Sequence, residues 1–291
     1  MAIRIDSFCY ECLLRRHVAT ARSLGTEEQA TEFARRLLRA CLDAPEDTPS
    51  PVIGTVVSDL LLELYGVPLD RFRQEKEDSN RFVLERMEDI RRRVTGAEDP
   101  VFAGLQMAIL GNYLDYGALQ GQISFDKLEQ MMEDALHMDL DREVYSRFCA
   151  DLEQGSKLLY LTDNAGEIGF DRVLAEAIHE KYPHLEITFC VRGDIAGNDA
   201  LREDAAAVGI PFPVIDSGDR TAGTLIPRLG DEAKRALEEA DVILAKGMAN
   251  TETMHGCGYN VYYAFLVKCQ RFVNIFGKPM FTPIFTPEHP M

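Results

Sequence analysis

Apolar residues in the first 154 positions recur at helical spacing. Phe33, Leu37, Leu38 and Cys41 fall on one side of a helix whose start is marked by Thr26 and Gln29, the two ends of a capping box. A Pro-rich break, PEDTPSP at 45–51, separates it from an apolar helix, Val52 to Tyr65, that stops at Gly66 and Pro68. Asp70 to Val94 reads as a long helix with a charged, solvated face and an apolar side made by Phe72, Phe82, Leu84, Met87 and Ile90. Asp99-Pro100 opens another helix through Ala118, and Ser124 to His137 and Asp141 to Gln154 supply two more.

From Gly155 the pattern changes. Short apolar runs that end in polar residues now alternate with helical stretches: KLLYLT (157–162), EITFCV (186–191), PVID (213–216) and VILA (242–245). Helices are predicted over 166–182, near 199–208 and 231–240, after 245, and over Tyr259 to Gly277, with a fifth strand from Lys278 to Ile284. Strands alternating with helices of this length predict right-handed crossovers and a parallel sheet. The expected class is α/β: an α-helical domain over 1–154, then a Rossmann-like domain with a mostly parallel sheet over 155–291.

Composition narrows the partners. With 48 acidic against 31 basic residues the net charge is −17, a field that repels nucleic-acid backbones and anionic membrane surfaces. No apolar run approaches the roughly 18–20 residues of a membrane span. The first residues carry Glu11 and Arg15 within their apolar stretch, so they lack an export-signal core. Seven cysteines without such a signal predict reduced thiols and a cytoplasmic protein. Nothing in the patterning assigns an oligomeric state.

In an open parallel sheet, ligands bind beyond the carboxyl ends of the strands. Those ends read Asp163-Asn164-Ala165-Gly166-Glu167, then Arg192-Gly193-Asp194 with Asn198-Asp199, then Asp216-Ser217-Gly218-Asp219, then Lys246-Gly247 with Asn250 and Glu252. Each of these acids and amides is also a good turn or cap residue. Their recurrence at one edge points to a ligand. Asp163, Asn164 and Asp199 offer three oxygen donors suited to a hard divalent ion, Lys246 is a point charge suited to phosphate, and helices starting near Gly166 and Gly247 add N–H donors for an anion. Neither a dinucleotide nor a P-loop fingerprint follows the first strand, and no G-x-S-x-G elbow occurs.

LTDNAGEIGFD (161–171), RGDIAGNDALREDA (192–205) and KGMANTE (246–252) resemble motifs of the domain-of-unknown-function 89 family, the metal-dependent damage-control phosphatases, also called acidic-residue-methyltransferase-like proteins. CYECLLRRH (9–17), DSNRFVLERM (78–87) and GNYLDYGAL (111–119) resemble its helical-domain motifs, and the Cys9/Cys12 pair with Lys268-Cys269 resembles the prokaryotic-type subfamily. The resemblance implies metal ligation by Asp163, Asn164 and Asp199, phosphate binding by Lys246, and polar cleft residues at Asn112 and Asp115. Ala249 departs from the glycine that often precedes Asn250 in the subfamily motif.

The expected function is hydrolysis of small phosphorylated metabolites, such as sugar phosphates or damaged cofactor phosphates, with Mg²⁺, Mn²⁺, Co²⁺ or Ni²⁺ as cofactor. Asp163 and Lys246 are the expected catalytic residues, with Glu167 as proton carrier. Lys246, Asn250, Asn112 and Asp115 are the expected substrate contacts. The nucleophile is either water or Asp163. Alternatives from other classes are an S-adenosylmethionine-dependent carboxyl methyltransferase and a non-catalytic metal- or ligand-binding protein. Cys9 and Cys12 lie one helical turn apart, either packed on the core or serving a redox or accessory-metal role with Cys269.

Overall fold

A computed structural model describes residues 3–114, 130–132 and 134–288 of the chain. Its first three helices are α1 (Ser7–Leu24), α2 (Glu27–Asp43) and α3 (Ser50–Tyr65). The Thr26 hydroxyl and Gln29 amide close the expected capping box on α2, and Gly66, at φ 68°, ends α3 in the left-handed conformation glycine favours. Phe33, Leu37, Ile53, Val57, Leu60 and Leu61 bury their apolar sides in a core of their own.

Next come α4 (Arg73–Thr95), α5 (Pro100–Gly111), a 3-10 turn at Asn112–Leu114 and α6 (Arg142–Gln154). The α/β region follows as β1 (Lys157–Leu161), α7 (Glu167–Lys181), β2 (Glu186–Val191), α8 (Arg202–Ala207), β3 (Val214–Asp216), α9 (Asp231–Glu239), β4 (Val242–Lys246), α10 (Gly247–Met254), β5 (Val261–Leu266), α11 (Gln270–Phe276) and β6 (Pro283–Pro287). The sheet order is β3-β2-β1-β4-β5-β6, with every pair parallel except β5–β6. The order reverses direction beside β1, so the β1/β4 gap is the switch point where open α/β sheets take their ligands.

The change of pattern at residue 154 is not a break in packing. One hydrophobic cluster joins Phe82, Val83 and Met87 of α4 and Leu105 to Leu110 of α5 to Tyr160, Phe170, Leu174 and Phe189 of the α/β region. Every residue of α5 from Val101 to Gly111 is buried, because the helix lies against α4, α7 and β5 at once. Gly104 and Gly111 allow that approach: a Cβ at either would press on Leu174 or Phe170 of α7.

Two expectations are revised. The stretch expected to be helical from 259 to 277 is a strand followed by a seven-residue helix. VYYAFL is buried on both faces, and a continuous apolar run has no period by which to tell strand from helix; its aromatic content favours strand. The last strand is Pro283–Pro287 and runs antiparallel. Asp115 and half of the expected 124–137 helix lie outside the described residues. No described helix is long and apolar enough to cross a membrane.

Candidate active site

The strand ends that the sequence singled out meet at one edge. Asn164 and Asp199 face each other in an isolated antiparallel bridge, tightened by hydrogen bonds from the Ala165 N–H to the Asn198 carbonyl (2.9 Å) and from the Ala200 N–H to the Asp163 carbonyl (2.8 Å). Asp163, Asn164 and Asp199 are thereby held on two adjoining loops, all three side chains buried. Asp163 Oδ2 accepts from the amides of Asn112 (2.8 Å) and Asn164 (2.7 Å). The same two amides donate to Glu167 Oε2 at 2.9 and 2.8 Å. The Leu266 N–H, donating to Asn112 Oδ1 at 3.3 Å, sets which way round that amide sits. Asn164 Oδ1 accepts from Asn198 at 2.9 Å.

Opposite Asp163, Gly247 holds φ 80° at the start of α10. A Cβ there would overlap the Asp163 carboxylate, so only glycine lets this backbone stand beside it.

Behind this layer Lys246 is fully buried. Its ammonium donates to Glu167 Oε1 (2.7 Å), Asp171 Oδ1 (2.6 Å) and the Ala108 carbonyl of α5 (2.8 Å), which uses all three of its protons. Tyr160 also donates to Asp171 Oδ1 at 2.8 Å, whereas Asp171 Oδ2 accepts nothing among the described residues. Burial pushes Asp171 up to about 7 against the pull of Lys246. Burial alone would lower the lysine, but the charges of Asp171 and Glu167 outweigh it and raise it.

Arg192 completes the edge. Its Nε donates to Asp199 Oδ2 at 2.7 Å and its Nη2 to the Thr162 carbonyl at 2.8 Å and Asn250 Oδ1 at 3.3 Å. This arginine is itself buried.

The arrangement divides the expected site residues. Asp163, Asn164, Asp199, Glu167 and Asn112 are brought together. Lys246 adjoins them through Glu167 but points inward, in contrast to the expectation of a charge in the cleft. Glu167, expected to carry protons, has its two oxygens engaged by Lys246, Asn112 and Asn164. Asn250 is fully buried and engaged on both sides of its amide, donating to the Thr162 and Lys246 carbonyls and accepting from Arg192 and Thr224. Cys9 accepts from Arg271 at 3.1 Å, and burial pushes its thiol up to about 11.

Sequence reasoning missed Asp171 and Arg192 as site partners. The clue to Asp171 is its place four residues after Glu167, on the face of α7 that also carries Leu174 and Ile178 inward.

The donors fit a divalent cation. Two carboxylates and one amide oxygen form an all-oxygen set, without thiol or imidazole. Among the described residues, no three His, Cys, Asp or Glu side chains are grouped to hold a metal. Charge is also uneven. Four buried carboxylates (Asp163, Glu167, Asp199 and Asp171, the last pushed up to about 7) face two buried cations, Lys246 and Arg192, and a divalent ion would offset the negative excess.

Known proteins resemble the chain in sequence and in fold. A profile of the damage-control phosphatase ARMT1-like domain matches residues 5–282. An uncharacterized protein of Methanocaldococcus jannaschii is 30% identical over 285 residues, covering 92% of this chain and 90% of its own. A damage-control phosphatase of Archaeoglobus fulgidus is 29% identical, covering 92% of this chain and 93% of its own. In fold, the chain is similar to the crystal structure of a DUF89 family protein from Pyrococcus horikoshii, with a TM-score of 0.83 at 22% identity, covering 98% of this chain and 99% of that one.

Proposed function

The chain belongs to the family of the damage-control phosphatase ARMT1-like domain, and from that premise we propose that it is a metal-dependent phosphatase acting on small phosphomonoesters. The family supports phosphatase chemistry in general. The finer reading rests on one observation: a buried, all-oxygen cluster at the switch point of the sheet whose carboxylates outnumber its cations by four to two.

Asp163, Asn164 and Asp199 are the residues that would hold the cation. A divalent ion bound there supplies Lewis-acid polarisation of a phosphoryl oxygen. The protein's own part is positioning. Asn112 and Asn164 hold Asp163 and Glu167 at a fixed separation, Lys246 anchors Glu167 from behind, and Arg192 orients Asp199. Gly247 keeps the β4 strand end free of a side chain beside Asp163. The substrates proposed are sugar phosphates or damaged cofactor phosphates.

The test is phosphate release from p-nitrophenyl phosphate, then from a panel of sugar and cofactor phosphates, with and without Mg²⁺, Mn²⁺, Co²⁺ and Ni²⁺. Chelation is expected to abolish turnover and added metal to restore it. Full turnover in excess EDTA, after verified metal removal, overturns the proposal.

A further inference from the structure

Helix α4 carries the DSNRFVLERM segment, and the residues that would hold the cation include none of it. Two of its neighbouring turns nevertheless reach both of the loops that present those residues. Asn80 Oδ1 accepts from the Gly166 N–H at 2.7 Å, and Asn80 Nδ2 donates to Asp204 Oδ1 at 2.8 Å. Lys76, one turn earlier, donates to Asp204 Oδ2 at 2.7 Å, and the same oxygen accepts from the Leu201 N–H at 2.8 Å. Lys76, Asn80 and Asp204 are all buried.

The placement is informative. Gly166 lies two residues beyond Asn164, with φ 75° and ψ −54°, and precedes α7 with no side chain of its own to cap the helix. Leu201 lies two residues beyond Asp199. One helix therefore grips the loop after β1 through a backbone N–H and the loop after β2 through a carboxylate. Its own position is fixed one turn further on, where Val83 packs so closely on α7 that a Cβ at Gly169 would stand 2.5 Å from Val83 Cγ1. The grip is electrically neutral, Lys76 against Asp204, so it leaves the charge imbalance around Asp163 untouched.

We propose that Lys76, Asn80 and Asp204 form a positioning clamp that sets the spacing of the two loops and thereby the affinity of the site for its metal. The inference rests on the metal-dependent reading given above. Ligands must be held within about 0.5 Å of their working geometry, and Asn164 and Asp199 come from separate loops joined directly by one short backbone bridge and a few side-chain hydrogen bonds. Without the clamp, part of the free energy of metal binding is spent on ordering the loops.

The test measures binding of Mn²⁺ alone, by the electron paramagnetic resonance of the free ion, to wild type and to Asn80→Ala, Asn80→Ser and Lys76→Met. Asn80→Ser is the milder change and keeps the experiment informative if the alanine variant fails to fold. Leu37→Ala, in the separate α1–α3 core, serves as the control for lost stability. At least a tenfold weakening of Mn²⁺ binding is expected in the clamp variants that fold, with Leu37→Ala lowering the melting temperature but leaving affinity unchanged. Clamp variants that melt earlier yet bind Mn²⁺ like wild type overturn the inference, as does equal weakening by Leu37→Ala. A wild type that binds no Mn²⁺ overturns the metal-dependent reading itself, and the clamp with it.

Discussion

Two layers of polar and charged residues stand at the same edge of the sheet and come from the same sequence motifs, yet they are built for different work. The outer layer, Asp163, Asn164 and Asp199, sits on loops and supplies oxygen atoms. The inner layer, Lys246, Glu167 and Asp171, is fully enclosed, and its lysine has every proton committed. Both follow strand ends, so position at the ligand edge does not by itself mean contact with a ligand. What separates them is the direction of the side chain and the supply of counter-charge. Lys246 serves as the buried counter-ion that allows Glu167 and Asp171 to lie beneath the outer oxygens.

The sharpest way to break this contrast is Asp163→Ala. It removes an outer oxygen donor, so kcat/KM is expected to fall at least a thousandfold, about 4 kcal/mol of transition-state stabilisation, while the melting temperature moves by only a few degrees. A collapse in stability would mean that the two layers are one structural unit. Lys246→Met is expected to do the reverse in kind. It leaves Glu167 and Asp171 buried without their cation, a loss of about 3–5 kcal/mol in folding stability, readable by urea unfolding. Unchanged stability with lost turnover would return Lys246 to the outer layer.

A buried carboxylate outside both layers gives the smallest effect. Glu252 on α10 pairs with Arg271 at 3.2 Å, and burial pushes it up to about 7 despite that pull. Between the ordinary value of 4.5 and about 7, the unfolded chain has released this proton while the folded chain retains it. Its contribution to stability therefore falls as pH rises through that window and is level above it, by about 1–3 kcal/mol in all. Glu252→Gln should flatten that part of the profile, with the remaining slope of the same sign coming from Asp171. An unaltered profile would place Glu252 on the ordinary side of the carboxylates.

Much of this architecture could be read from the residues. β1, β2 and β4 are short apolar runs closed by polar residues, and the rule that parallel sheets bind at their carboxyl edge then located Asp163, Asn164 and Asp199 together. β5 escaped because VYYAFL, buried on both sides, carries no alternation. Lys246 and Asn250 were located but misdirected: a linear pattern tells which edge a residue reaches, not whether its side chain turns outward or back under the sheet. Asp171 was hidden by its surroundings, since an acid among apolar neighbours on one helix reveals its partner only when β4 is laid beside it. Asn80 is the extreme case, its two partners lying 86 and 124 residues away in the chain.

The reversal of the last strand has a practical consequence. Because β6 runs against its neighbour, Pro283 pairs with Leu266 at the site edge and Pro287 with Tyr262 toward the other end of the sheet. Glu288 is latched there, its N–H on the Val261 carbonyl and its carboxylate accepting from Tyr263 and the Gly256 N–H. An affinity handle, a fusion partner or a surface tether placed beyond Glu288 would extend from that latched end, opposite the sheet edge that carries Asp163. Protein immobilised through it would keep the tether clear of the Asp163 edge, a convenient geometry for screening phosphate esters in flow.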